Sequence, residues 1–95
     1  MEQIAIDKLV AVCLAHGTRK VALFGSFVRG DAGPDSDIDV LVEFGRPTGF
    51  LALVKLEREL SEIMGRRVDL LTEDAISPHL RDEILASQRV VYEAA

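Results

Sequence analysis

Asp37 and Asp39 stand two residues apart in GSFVRGDAGPDSDIDVLVEF, residues 25–44. From Asp31 to Glu43 the chain carries five carboxylates and no Lys or Arg. Like charges that close repel one another, so the stretch must be solvated, paired from elsewhere, or holding a cation. The third option draws on the pattern. On a strand, Asp37 and Asp39 point to one face while Ile38, Val40 and Val42 point to the other. Two residues span roughly 6.6 Å, which lets both carboxylates converge on a metal pair roughly 3.5–4 Å apart. Asp69, between apolar neighbours in VDL, adds a third acid if its strand lies alongside. Hard oxygen donors of this kind suit Mg²⁺, which shares its shell with water and substrate phosphates.

Upstream, Gly25 and Ser26 lie where a strand yields to a helix. Glycine admits a phosphate close to the backbone, the serine hydroxyl can donate to it, and free N–H groups at a helix start favour anions. Arg29 follows Ser26 by three residues on the same helical face, to bond phosphate or to brace the neighbouring carboxylates. Asp31 and Asp35 read as solvated loop acids. Asp69 taken alone is equally a salt-bridged surface acid. An EF-hand loop starting at Asp35 needs Gly at 40 and Glu at 46, where the chain has Val40 and Arg46. There is no Gly-Lys-Ser/Thr of a P-loop and no Ser-His or Cys-His pair. A phosphatase of the haloacid dehalogenase type places its Asp-x-Asp at the end of a strand, whereas here a turn-rich loop precedes it.

The elements that must position these residues alternate. Apolar Ile6, Leu9, Val10 and Cys13 recur at helical spacing within residues 3–16, and Gly17 stands where a C-terminal cap belongs. Cys13 reads as a packed small hydrophobe and His16 as a last-turn residue suited to the helix dipole. Residues 21–24 read as a short strand, 26–30 as a brief helix, 37–44 as a mostly buried strand. Residues 50–64 form the clearest helix, with Phe50, Leu53, Leu56, Leu60, Ile63 and Met64 on its apolar side and Gly65 as its stop. Residues 66–72 are a third strand. Ser77 and Pro78 open a last helix with Leu80, Ile84 and Leu85 inward and His79 exposed, and 89–93 is a closing strand. The expected fold is α/β of the α+β type, one domain over residues 1–95: a small sheet flanked by helices.

Bulk properties narrow the chemistry. Of 16 acids and 11 bases, all the excess lies in residues 31–43, since the remainder is balanced. A pI near 4.9 argues against direct nucleic-acid binding, which needs Lys and Arg to displace counterions. A lone cysteine forms no internal disulfide, no run approaches the ~20 apolar residues of a membrane span, and MEQIAIDK is unlike a signal peptide. A cytoplasmic, soluble protein is expected.

Gly25-Ser26, the loop, Asp37-Ile38-Asp39 and the later Asp69 resemble the DNA polymerase beta nucleotidyltransferase superfamily. The order Gly-Ser-x-x-Arg-Gly before Ser-Asp-Ile-Asp is similar to its minimal nucleotidyltransferase (MNT) branch, over nearly the whole chain. The resemblance implies a mixed sheet and transfer of AMP from ATP to a hydroxyl. Gly25 and Ser26, with Arg29 beside them, would hold the triphosphate. Asp37 and Asp39 would ligate two Mg²⁺ ions, and Asp69 would share the metal that activates the acceptor and is placed to take its proton. Small MNT proteins pair with HEPN-domain toxins, so the implied acceptor is a tyrosine of such a partner. The rivals are an antitoxin that occludes its toxin by contact alone, and nucleotidyl transfer to a small molecule.

Overall fold

The alternating acids lie on a strand, and what flanks that strand decides where they point. The computed structural model describes residues 3–33 and 36–94, so Asp35 falls outside the described residues. Strand β1 (Thr18–Phe24) lies beside β2 (Ile38–Phe44), β2 beside β3 (Val68–Thr72), and β4 (Arg89–Glu93) completes the order β3-β2-β1-β4. β1 is antiparallel to both β2 and β4, whereas β2 and β3 are parallel, so the sheet is mixed as expected. The parallel pair needs a crossover, and the helix at Phe50–Met64 supplies it. In chain order the helices are α1 (Gln3–Ala15), α2 (Ser26–Arg29), α3 (Phe50–Met64) and α4 (Pro78–Ser87).

The two faces of the sheet are covered unequally. Val21, Leu23, Ile38, Val40, Val42, Val68 and Leu70 face Ile6, Leu9 and Cys13 of α1 and Leu56 and Leu60 of α3, forming the main core. Burial pushes the Cys13 thiol up to about 12, as suits a packed hydrophobe rather than a nucleophile. The opposite face buries only Ala22, Leu41 and Ile76, with Phe24, Leu71, Ile84 and Leu85 partly covered. Asp39 and Asp69 alternate with the core residues of their strands and therefore project on this thinly covered face.

The β3 edge is sealed from within. Glu57 and Ser61, one turn apart on α3, accept the N–H groups of Leu70 (Oε2, 2.8 Å) and Val68 (Oγ, 3.0 Å). A helical spacing of four thus matches a strand spacing of two, and the outward donors of an edge strand are satisfied without another chain.

Several expectations needed correction. Phe50 and Ile63, expected on the core side of α3, are 75% and 44% exposed, whereas Leu53, Leu56, Leu60 and Met64 of the same stripe pack against the core. Leu80 was expected inward and is half exposed; α4 lies over a corner of the thin face and buries no residue completely. The Ser77 hydroxyl makes no capping bond; its carbonyl instead accepts from Leu80 and Arg81. β1 begins three residues before the predicted 21, since Thr18 and Lys20 pair with β2, and Lys20 also with β4, despite their polarity, with Arg19 at a register shift between them. His16 follows α1 rather than ending it, and its Nε2 lies 2.6 Å from Glu59 Oε2.

Leu60, wholly buried, and Leu51, 83% exposed on the same helix, separate core from surface. Leu60→Ala should cost about 2–5 kcal/mol and Leu51→Ala within about 0.5 kcal/mol by urea unfolding.

Candidate active site

The backbone register builds the site. Asp39 pairs with Phe24 on β1 and with Asp69 on β3, so Phe24, Asp39 and Asp69 form one row across three strands. Asp37 stands one residue before β2, next to Arg67, whose carbonyl accepts the Ile38 N–H at 2.9 Å. The three predicted acids thus share one face and one end of the sheet.

Gly25 completes the arrangement from the end of β1. Its φ of 73° and ψ of −147° lie in a region that is nearly glycine-only. A Cβ built there would overlap Asp39 Oδ2. Only the missing side chain lets the backbone at the start of α2 come this close to the carboxylate. Ser26 opens α2, and the Gly25 carbonyl accepts from Val28 and Arg29 at 3.1 Å. Gly25, Arg29 and Asp39, with Phe24, line a cleft of about 270 Å³ whose far wall is Leu80, Glu83, Ile84 and Ser87 of α4. Arg29 borders this cleft but pairs with Asp31 (Nε to Oδ2, 3.3 Å) and with none of the three site acids.

Electrostatics single out Asp39. Burial first, then the Asp69 and Asp37 carboxylates, hold its carboxyl above the ordinary range, while Arg29 pulls it down. Such a group gains from a cation nearby. Among the described residues no three acidic, His or Cys side chains gather closely enough to enclose an ion by themselves. Mg²⁺ needs no such cage: it is bound by one or two carboxylates and completes its shell with water and substrate phosphates. The all-oxygen donor set, the partly buried Asp39 and the space left by Gly25 fit that mode of binding.

The nucleotidyltransferase domain family matches residues 6–91. The chain belongs to this family. This nucleotidyltransferase is 32% identical over 100 residues to the protein adenylyltransferase MntA of Thermococcus cleftensis, covering 97% of this chain and 99% of that one. It is 45% identical over 78 residues to a Methanocaldococcus jannaschii chain provisionally named a protein adenylyltransferase, covering 82% and 84% of the two. Its fold is similar to that of the Shewanella oneidensis structure of a tri-AMPylated HEPN toxin in complex with MNT antitoxin, at a TM-score of 0.79 and 20% identity, over 99% of this chain and 74% of that one. No described helix of the nucleotidyltransferase is long and apolar enough to cross a membrane.

Sequence reasoning missed Arg67 at the nucleotidyltransferase site. Its Nε lies 3.1 Å from Asp69 Oδ1 and 4.0 Å from Asp37 Oδ2. A local signal was present: Arg67 stands one residue before β3 and two before Asp69, the spacing that places residues on one face of an extended chain. Arg66, its neighbour, turns away to the Phe27 ring at 5.3 Å and to the Ser36 carbonyl at 3.3 Å, fastening Ser36 and α2 to the sheet. The α4 wall of the cleft was also missed, because its residues are more than forty positions from Asp39.

Two outcomes test this geometry. Gly25→Ala should cost about 1–3 kcal/mol in chemical unfolding, more than Gly30→Ala, which is also at positive φ but meets nothing within 4 Å. Equal costs would mean that the Asp39 contact is not the cause. For Asp39, a raised carboxyl means that the native state holds its proton more tightly than the unfolded chain. Ionisation therefore weakens the fold as pH rises from the ordinary carboxylate value, about 3.9, through the raised one. Asp39→Asn should then melt higher than the parent at pH 7 without divalent ions, and the gain should vanish below about pH 4.

Proposed function

We propose that the chain is a Mg²⁺-dependent protein adenylyltransferase that moves AMP from ATP to a tyrosine hydroxyl of a HEPN-type toxin, silencing it. The observation that carries the reading is the gathering of Asp37, Asp39 and Asp69 on one sheet face around a glycine that only Gly can occupy. The names of the relatives support protein adenylylation, and the HEPN partner of the structurally similar antitoxin supports the acceptor.

The residues divide the work. Asp37 and Asp39 would hold two Mg²⁺ ions jointly with phosphate oxygens, and Asp69 would share one of them. When bound, the ions supply charge neutralisation at the α-phosphorus and the departing pyrophosphate. Gly25 and Ser26 hold the triphosphate through backbone N–H groups and the hydroxyl, with Arg29 at the mouth of the cleft. The α4 wall shields the donor from water beyond Asp39. Asp69 Oδ1 or Oδ2 takes the proton of the attacking hydroxyl. Its oxygen bonds to the α-phosphorus in line with the leaving pyrophosphate, so one P–O bond forms as another breaks. The partner presents the tyrosine.

The test mixes the chain, ATP, Mg²⁺ and a HEPN-domain toxin, and reads the toxin's intact mass and its toxic activity. The parent should add adenylyl groups to a tyrosine and abolish the toxin's activity. Asp37→Asn and Asp39→Asn should each slow modification by roughly 10²-fold or more. Neutralisation by both variants with no adenylyl mass on the partner would sink the enzymatic reading and leave occlusion by contact, for which the exposed Phe50 and Leu51 offer a surface.

A further inference from the structure

Arg67 is the one basic residue that forms ion pairs with the site acids among the described residues. It contacts Asp69 at 3.1 Å and Asp37 at 4.0 Å through the same Nε. Its side chain is 74% exposed, on a stem rooted next to Asp69 on β3. A guanidinium in this place stands between two carboxylates that a dication would share.

We propose that Arg67 is a built-in counter-ion that couples metal binding to nucleotide binding, by leaving the acids for the triphosphate when both arrive together. This rests on the nucleotidyl-transfer reading and assigns a role to a residue that reading leaves unused. Exposed ion pairs hold weakly, and a hard dication gains more from the same oxygens than a delocalised monocation does. Arg67 is therefore displaceable, while its backbone, two residues before Asp69, keeps the charge within a side chain's length of the site. Once a dication lies between Asp37 and Asp69, the guanidinium is repelled and needs an anion. A metal arriving alone brings none. A metal arriving with a triphosphate brings an acceptor of the geometry a guanidinium bonds best. Metal alone is thus disfavoured relative to metal with nucleotide, and by reciprocity the nucleotide binds more tightly to the metal-loaded protein. Arg29, at the C-terminal end of α2, pairs with Asp31 and makes no ion pair with the site acids, so it does not stand between the metal ligands.

The experiment titrates Mn²⁺ into the chain by calorimetry or electron paramagnetic resonance, with and without a non-hydrolysable ATP analogue, for the parent, Arg67→Gln and Arg67→Lys. Direct coordination by the nucleotide contributes to coupling in every protein, so the difference between variants isolates Arg67. Arg67→Gln should bind Mn²⁺ alone about 5-fold or more tightly than the parent, and the enhancement by nucleotide should shrink by a similar factor. Arg67→Lys, which keeps the charge and loses the fork, should fall between. A purely structural brace would move the melting temperature and leave the enhancement unchanged. The proposal is overturned if Arg67→Gln binds Mn²⁺ alone no better than the parent, or keeps the parent's enhancement. Asp39→Asn separates the two levels of inference. If it abolishes Mn²⁺ binding while Arg67→Gln changes nothing, only the counter-ion role fails. If the parent binds no Mn²⁺ with or without nucleotide, the transfer reading and the counter-ion role fail together.

Discussion

Mutual repulsion among Asp37, Asp39 and Asp69 is the constraint around which the rest of this molecule is organised. Burial, and then the Asp69 and Asp37 carboxylates beside it, lift Asp39 above its ordinary range, and such a cluster costs stability in the absence of a compensating charge. The fold carries that cost on a core built on the other face. α1 and α3 bury seven strand residues there. The acidic face receives Ile76 and, from α4, Ile84 and Leu85, which pack against Ala22 and Leu41 and leave the acids open to ligands. Stability and chemistry are thus separated by the thickness of a single sheet.

Two close contacts hold the arrangement to its geometry. Gly25 brings the α2 backbone against Asp39, an approach that any side chain would block. Arg67 sits between Asp37 and Asp69, as a charge that the site itself provides. The first is a steric requirement, and any side chain at Gly25 would have to displace the Asp39 carboxylate. The second is an exposed electrostatic contact, weak and exchangeable, which is what a site that must admit a cation requires. Away from the acids, Glu57 and Ser61 satisfy the outer N–H groups of β3, so the edge next to the site does not recruit another strand.

What could be read before any coordinates depended on the range of the interaction. The helix at 50–64 was legible to the residue because its apolar repeat and Gly65 stop are local signals. So was the facing of Asp37 and Asp39, which follows from period two. The polar start of β1 at Thr18–Lys20 was not, because those residues are held by pairing with β2 and β4 and carry no apolar pattern of their own. Phe50 and Leu80 misled because hydrophobicity says that a residue can be buried, while the reach of the neighbouring sheet says whether it is. Arg67 was overlooked for a related reason: it became part of the site only when β3 was set parallel to β2.

The sequence by itself determined the donor chemistry and its local order: a glycine–serine turn, an alternating acid pair, and a third acid between apolar residues. Those facts are covalent or nearest-neighbour, and a chain carries them in any fold. Tertiary structure decided that Asp39 stands opposite Asp69, that Arg67 lies against both outer acids, and that α4 forms the far wall of the cleft. Asp39 and Asp69, Arg67 and Asp37, and Asp39 and the α4 wall are each thirty or more positions apart, and only strand register and helix packing bring such positions side by side.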